Sequence, residues 1–366
     1  MSAYMVVKKS ELGDVPTVSV CVPAYNYGRF IADCIESVLA QTFTEWELII
    51  CDDRSTDDTR DICTGFVKQD RRVHYFLNEK QLGMYPNFAR TVTYARGTYL
   101  KPLCADDWLH PEYLEACLKL MDKYPTAVLV ATNCIETDVD GNPLASNYFL
   151  PREFFRGKDM IRREIFGLGG IGGNSSFLIR RWAYERAGGY DTSFLYLGDH
   201  VLGLKLCLVG DFAYTNSPLF YGRLHESQSS MNDPKKFLDV MDWFRVPDTL
   251  FPNSSPFSKN WCFVRLMVGR IGANYTITSL VQIVRGNRSW GIELLRSVFC
   301  EAPVRWPILL MIPFRLIARI VRKILWGRRG RRSVPVLVVI KPKGLRSRQL
   351  SASESACGPE VVTGAG

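Results

Sequence analysis

Residues 17–28 read TVSVCVPAYNYG. The first six are mostly β-branched or apolar, with no charged residue, the pattern of a strand buried on both faces of a parallel sheet. Pro23 stops the run, and a polar loop follows. From residue 29 to 40 the apolar positions Phe30, Ile31, Cys34, Ile35, Val38 and Leu39 fall at helical spacing. Residues 46–51 form a second apolar run, WELIIC, which stops at DDRSTDDT. That cluster suits a turn followed by a capped helix. Further strands are expected over 73–77 and 98–103. Helices are expected over 87–96 and 111–124, the latter with Pro111 in its first turn. Regular alternation of strand and helix predicts a doubly wound α/β sheet. Ligands of such sheets bind beyond the carboxyl ends of the strands.

Past residue 151 the alternation fades. GLGGIGGNSSFLIRR reads as a glycine-rich loop entering a strand. A helix is expected to begin near Asp199, and SPLFYGRLHESQSS reads as a strand running into a polar loop. Beyond residue 252 the pattern is helical over 261–280 and 290–299. Residues 351–366 look like a disordered tail.

The chain has 366 residues and a net charge of +9. Residues 302–353 hold thirteen Lys or Arg and no Asp or Glu, leaving −4 for the rest. The basicity therefore belongs to one C-terminal segment. The run PILLMIPF over 307–314 is too short to span a bilayer. As a helix, this region would gather Arg315, Arg319, Arg322 and Lys323 on one side, with apolar residues on the rest and Trp306 and Trp326 near its ends. That suits an anionic membrane surface. The plainer alternative is a helix packed on the domain with its arginines in solvent. The apolar residues between the charges argue against a nucleic-acid arm. The eleven cysteines have no CxxC pair or framework spacing, which points to a reducing compartment. The N-terminal stretch lacks the apolar region of a signal peptide.

The loops at the expected strand ends are PAYNYG, DDRSTDD and ADDW. Asp52, Ser55 and Asp57 suit turn formation and capping. Capping does not need two carboxylates before the turn, which leaves Asp53 for a ligand's N–H or hydroxyl. Asp106 and Asp107 repel each other at a strand tip. A hard divalent cation held by one or two carboxylates and a substrate phosphate would relieve that repulsion. Helix capping at Pro111 is the weaker alternative. Asp199 is either a helix cap or a general base. His225 is either a satisfied loop histidine or a metal or phosphate contact.

The ordered runs VSVCVPAYNYGRFIADCIESVLAQTF, ELIICDDRSTDDT, NEKQLGMYPNFARTVTYARGTYLKPLCADDW and GGNSSFLIRRWAYERAGGYDTSFLYLGDHVLGLKL resemble a family 2 glycosyltransferase of the GT-A fold. The resemblance covers about residues 18–230. It implies a mostly parallel, Rossmann-like sheet flanked by helices, with a helical C-terminal extension. It also implies inverting transfer of a hexosyl-type sugar from a nucleoside diphosphate sugar to an acceptor hydroxyl, assisted by Mg2+ or Mn2+. Pro23, Ala24, Tyr25 and Asn26 match the loop against the nucleotide, and Asp53 matches the contact to base or ribose. Gly83, Asn87 and Arg90 fall in the segment near the diphosphate. Asp106 and Asp107 match the end of the acidic metal motif, with Asp106 also near the nucleotide. Asp199 matches the catalytic base, and His225 a polar position near the metal. Two departures stand out. Cys104 occupies the first acidic position of the metal motif, and Gly198 replaces the acidic neighbour of the base. They leave room for an alternative, an inactive nucleotide-sugar-binding or membrane scaffold protein. A nucleotidyltransferase would need a glycine-rich basic signature after the first strand, which is missing from PAYNYG.

The expected organisation is an N-terminal arm (1–16), a catalytic domain (17–232), a helical extension (233–300), a basic membrane-surface segment (301–332) and a tail (333–366). The expected acceptor is a saccharide or a lipid-linked saccharide, in cell-surface polysaccharide or glycoconjugate synthesis. The expected location is cytoplasmic, at the inner face of the membrane.

Overall fold

The computed structural model describes residues 15–146, 150–165, 170–225 and 238–251, with positions 276, 277, 280 and 292 besides. The arm at 1–14, the helices expected over 261–280 and 290–299 (those four positions aside), the basic segment and the tail lie outside the described residues.

Strand β1 (Val18–Ala24) is the spine. It pairs in parallel with β2 (Trp46–Asp52) on one side and β4 (Tyr99–Pro102) on the other, and β2 pairs with β3 (Val73–Leu77). Helices α1 (Ile31–Leu39), α2 (Thr59–Gln69) and α3 (Met84–Tyr94) make the crossovers. The β4 ladder ends at Cys21 opposite Pro102, and β1 continues past it through Pro23 to Ala24. Strand order therefore reverses at β1, and the crevice beyond the ends of β1 and β4 is the switch point where such sheets take ligands.

On the far side of β4 the direction changes. After β5 (Trp108–Leu109) and α4 (Tyr113–Lys123), β6 (Ala127–Thr137) runs into the sheet, and the short hairpin strand β7 (Pro143–Ser146) folds back on it. Strand β8 (Phe154–Phe155) and α5 (Gly157–Ile165) follow. Strand β9 (Phe177–Arg180) inserts antiparallel between β4 and β6. Helices α6 (Arg181–Arg186) and α7 (Gly198–Val209) lead to β10 (Asp211–Arg223), which lies parallel to β6. The sheet order is β3-β2-β1-β4-β9-β6-β10-β5. Parallel pairing alone was expected over 17–103, and there it is found. The inserted β9 follows from its brevity: four residues after a glycine-rich loop enter the sheet without a crossover helix. Helix α8 (Leu238–Leu250) packs on α7.

Two apolar layers sandwich the sheet. One is built on Val20, Ile35, Leu48 and Tyr113, the other on Leu129, Phe177, Leu202 and Phe212. Among the described residues no helix is long and apolar enough to cross a membrane.

Candidate active site

The acidic pair follows β4. The two-residue β5 then pairs antiparallel with β10, Trp108 opposite Tyr221 and Leu109 opposite Phe220. That short ladder brings the end of β10 over the pair. The Arg223 backbone N–H donates to Asp107 Oδ1 at 3.1 Å, and His225 Nε2 lies 3.0 Å from Asp106 Oδ2. The Arg223 guanidinium is sandwiched between Phe30 and Trp108 and bonds to Asp33 Oδ2 at 2.7 Å. It therefore fastens α1 to β10 and does not neutralise the pair.

Both carboxylates are buried, Asp106 at 4% exposure and Asp107 at 8%. Burial, then the repulsion of Asp106, pushes Asp107 up to about 7. The nearest lysine is also committed. Lys101 is wholly buried, donates to the carbonyls of Pro102 (2.8 Å) and Ser175 (2.7 Å), and lies over the Tyr113 ring. Burial pushes it down to about 7. Two carboxylates with their neighbouring cations engaged elsewhere fit a divalent cation. Ligand atoms of Asp106, Asp107 and Cys104 lie within 4.8 Å of one another. Burial, with Asp107 and Asp106 adding, holds the Cys104 thiol well above the ordinary thiol range.

Asp53 is buried and its carboxylate is well used. Oδ1 accepts from Asn78 Nδ2 (2.8 Å) and the Leu82 N–H (2.7 Å), and Oδ2 from the Gly83 N–H (2.8 Å). It pins the 78–83 loop over the end of β2. Gly83 has φ +91°, a left-handed conformation that glycine adopts without strain. Asn87 supports the same loop, accepting from Asn78 and donating to the Cys51 carbonyl. Arg90 is exposed, over the ring of Tyr94.

Asp52 and Asp57 form the turn, as their residue types suggest. Asp52 accepts from the Ser55 N–H and Tyr75 hydroxyl, and Asp57 from Thr59 and the Gly28 N–H. Burial opposes ionisation of Asp57, but these hydrogen bonds outweigh it and lower its pKa. Asn26, at φ +57°, locks to this turn through Ser55 and Thr56. Pro23 and Ala24 close β1, and Tyr25 stands exposed.

Asp199 is the second residue of α7, inside the helix and not at its cap. Oδ1 accepts the His200 N–H, and the Tyr85 hydroxyl lies 3.2 Å from it and 2.7 Å from the Tyr196 carbonyl. Oδ2 lies against Gly173, where an added Cβ would stand 2.9 Å away. Asp242 of α8 accepts the N–H groups of Leu195 and Tyr196 and so fixes the loop leading into Asp199.

The acidic tips close into one circuit. Asp53 bonds Gly83, and two residues on Tyr85 meets Asp199. Asp199 abuts Gly173, and two residues further Ser175 Oγ accepts the Cys104 N–H at 3.0 Å. Cys104 adjoins Asp106 and Asp107, whose partner His225 faces the ring of Tyr27 at 6.3 Å. The Tyr27 N–H bonds Thr59, back on the turn after Asp53. Asp53, Asp107 and Asp199 thus lie along one continuous chain of contacts beyond the ends of β2 and β4. Sequence reading had not singled out Tyr85, Gly173, Ser175, Tyr27 or Lys101. Lys101 left one signal, a lone charge inside an apolar strand.

The departure at Gly198 has a steric cause. A Cβ there would stand 2.6–2.7 Å from the ring of Tyr85. The phenol ring fills the space an acidic side chain would need, and its hydroxyl meets Asp199 instead.

Residues 19–188 match the family model "Glycosyl transferase family 2". The domain belongs to that family. The chondroitin synthase of Escherichia coli is 32% identical over 64% of this chain, and the chain spans 32% of that synthase. In structure, S. aureus TarS 1–349 in complex with UDP-GlcNAc superposes with a TM-score of 0.53 at 16% identity, covering 77% of this chain and 90% of that one. The mannosyltransferase PcManGT from Pyrobaculum calidifontis, in complex with GDP-Man and Mn2+, gives 0.52 at 14% identity over 89% and 91%. These likenesses show the GT-A fold.

Two outcomes are expected from the site. Gly198→Ala should cost about 1–3 kcal/mol of stability by overpacking, and much less in a Tyr85→Ala background; additive effects in the denaturation cycle would contradict the steric reading. Asp107 has a folded pKa of about 7, above its unfolded value of about 3.9. Its ionisation therefore lowers stability as pH rises from about 4 to about 7. With cations chelated, Asp107→Asn should raise the melting temperature most at about pH 8 and hardly at all at about pH 4. An equal gain at both pH values would contradict the assignment.

Proposed function

We propose that the chain transfers a sugar from a nucleoside diphosphate sugar to an acceptor hydroxyl with inversion. The observation that supports this reading is the chain of contacts linking Asp53, Asp199 and the Asp106–Asp107 pair near the switch point. In this reading residues 23–26 and the pinned 78–83 loop flank the nucleotide, and Asp53 faces base or ribose through its remaining acceptor capacity. Gly83, Asn87 and Arg90 lie on the diphosphate side. Asp106 and Asp107 hold Mg2+ or Mn2+, with His225 orienting Asp106. That cation, when bound, offsets charge on the departing diphosphate. Asp199 takes the acceptor's proton through Oδ2, while the Tyr85 and His200 bonds fix Oδ1. The likeness to a chondroitin synthase supports a saccharide acceptor in polysaccharide synthesis. The Tyr85 ring occupies the space beside Gly198; the alternative, an inactive binding protein, predicts no transfer by the parent chain.

Removing the base should cost about 10²–10⁴ in turnover. Asp199→Asn should therefore bind nucleoside diphosphate nearly as the parent does and lose transfer; normal turnover in the variant would contradict the assignment.

The acid-free run over 302–353 supports docking on an anionic membrane at the cytoplasmic face, near lipid-linked acceptors. The full chain should co-sediment with phosphatidylserine vesicles, and a chain cut after residue 301 should not. Equal recovery of both forms would reject membrane docking.

A further inference from the structure

The carboxylate pair is joined by a sulfur. Cys104 Sγ and one oxygen each of Asp106 and Asp107 lie within 4.8 Å of one another. The backbone fixes this arrangement from two sides: the Cys104 N–H donates to Ser175 Oγ, and its carbonyl accepts from Cys34. The Arg223 N–H bonds one oxygen of Asp107, His225 meets one of Asp106, and the Ser175 side chain also bonds Asp107. The clustered carboxylate oxygens and the sulfur form a mixed donor set. Sulfur ligands favour thiophilic cations, whereas Mg2+ favours an all-oxygen set. A carboxylate at position 104 would complete such an all-oxygen set.

We propose that Cys104 is a third ligand of the cation held by Asp106 and Asp107, so that this site selects Co2+, Zn2+ or Cd2+ over Mg2+. The S–H proton leaves to solvent as the sulfur–metal bond forms, and no oxidation state changes. The inference rests on the proposed cation site, and it adds a ligand and a selectivity to it.

The test uses the full reduced chain and the metals alone. Co2+ should give a near-ultraviolet thiolate-to-cobalt charge-transfer band in the parent chain. In Cys104→Ser that band should vanish while equilibrium dialysis still shows bound Co2+. Cd2+ affinity should fall at least about tenfold in that variant, since even outer-shell partners of a metal are worth that much. Mg2+ affinity should rise in Cys104→Asp, which supplies the all-oxygen set and checks that substitution at this position leaves a folded site. Bound Co2+ without the band in the parent, or a band unchanged in Cys104→Ser, would overturn the inference and leave the proposed transfer standing. Failure of the parent chain to bind any of these cations, with nucleoside diphosphate present, would remove the cation site as well.

Discussion

Two neighbouring carboxylates are buried at the end of β4, and the positive side chains near them are spent elsewhere. Such an arrangement disfavours folding, because desolvation and mutual repulsion both penalise the charged pair. It persists because the surrounding structure determines it from several directions. The β5–β10 ladder, the Ser175 loop and the Arg223 sandwich each fix one side. A ligand of opposite charge would relieve that penalty, and the proposed chemistry builds on it. Stability given up locally at a functional centre is a recurrent trade.

The rest of the site is held by side chains that bind backbone. Asp53 holds a loop, Asp242 holds the loop before α7, and Lys101 ties the strand end of β4 to Ser175. Rigid loops at strand ends are what a transfer site needs, since misplacement by an ångström costs rate heavily. Asp199 shows the same economy of means: one oxygen is fixed by hydrogen bonds, and the other lies beside a glycine.

Much of this was legible in the sequence. The runs at 17–22, 46–51 and 73–77 are rich in β-branched and apolar residues, and the structure places β1, β2 and β3 there, with β1 and β2 extended where Pro23, Ala24 and Asp52 continue the ladder. The helix expected over 87–96 begins three residues earlier, at Met84, because Asp53 caps the loop before it through space. Strand β8 is only two residues long and is set by pairing with the distant β10, while β7 is set by the hairpin it forms with β6. The acidic residues could be found one by one from their loops. Tyr85 and Gly173 could not, because their roles arise only when α3 and the glycine-rich loop meet α7. Gly198 read as a missing acid, and only the packing of Tyr85 against it gives the reason.

The most direct measurement is calorimetric titration of nucleoside diphosphate into the full chain, with Mn2+ and with the cation chelated, for the parent and for Asp107→Ala. If the buried pair exists to hold a cation under the diphosphate, affinity in the parent falls when Mn2+ is removed, and the variant binds equally weakly in both conditions. Parent affinity that is the same with and without cation would contradict the account at its root.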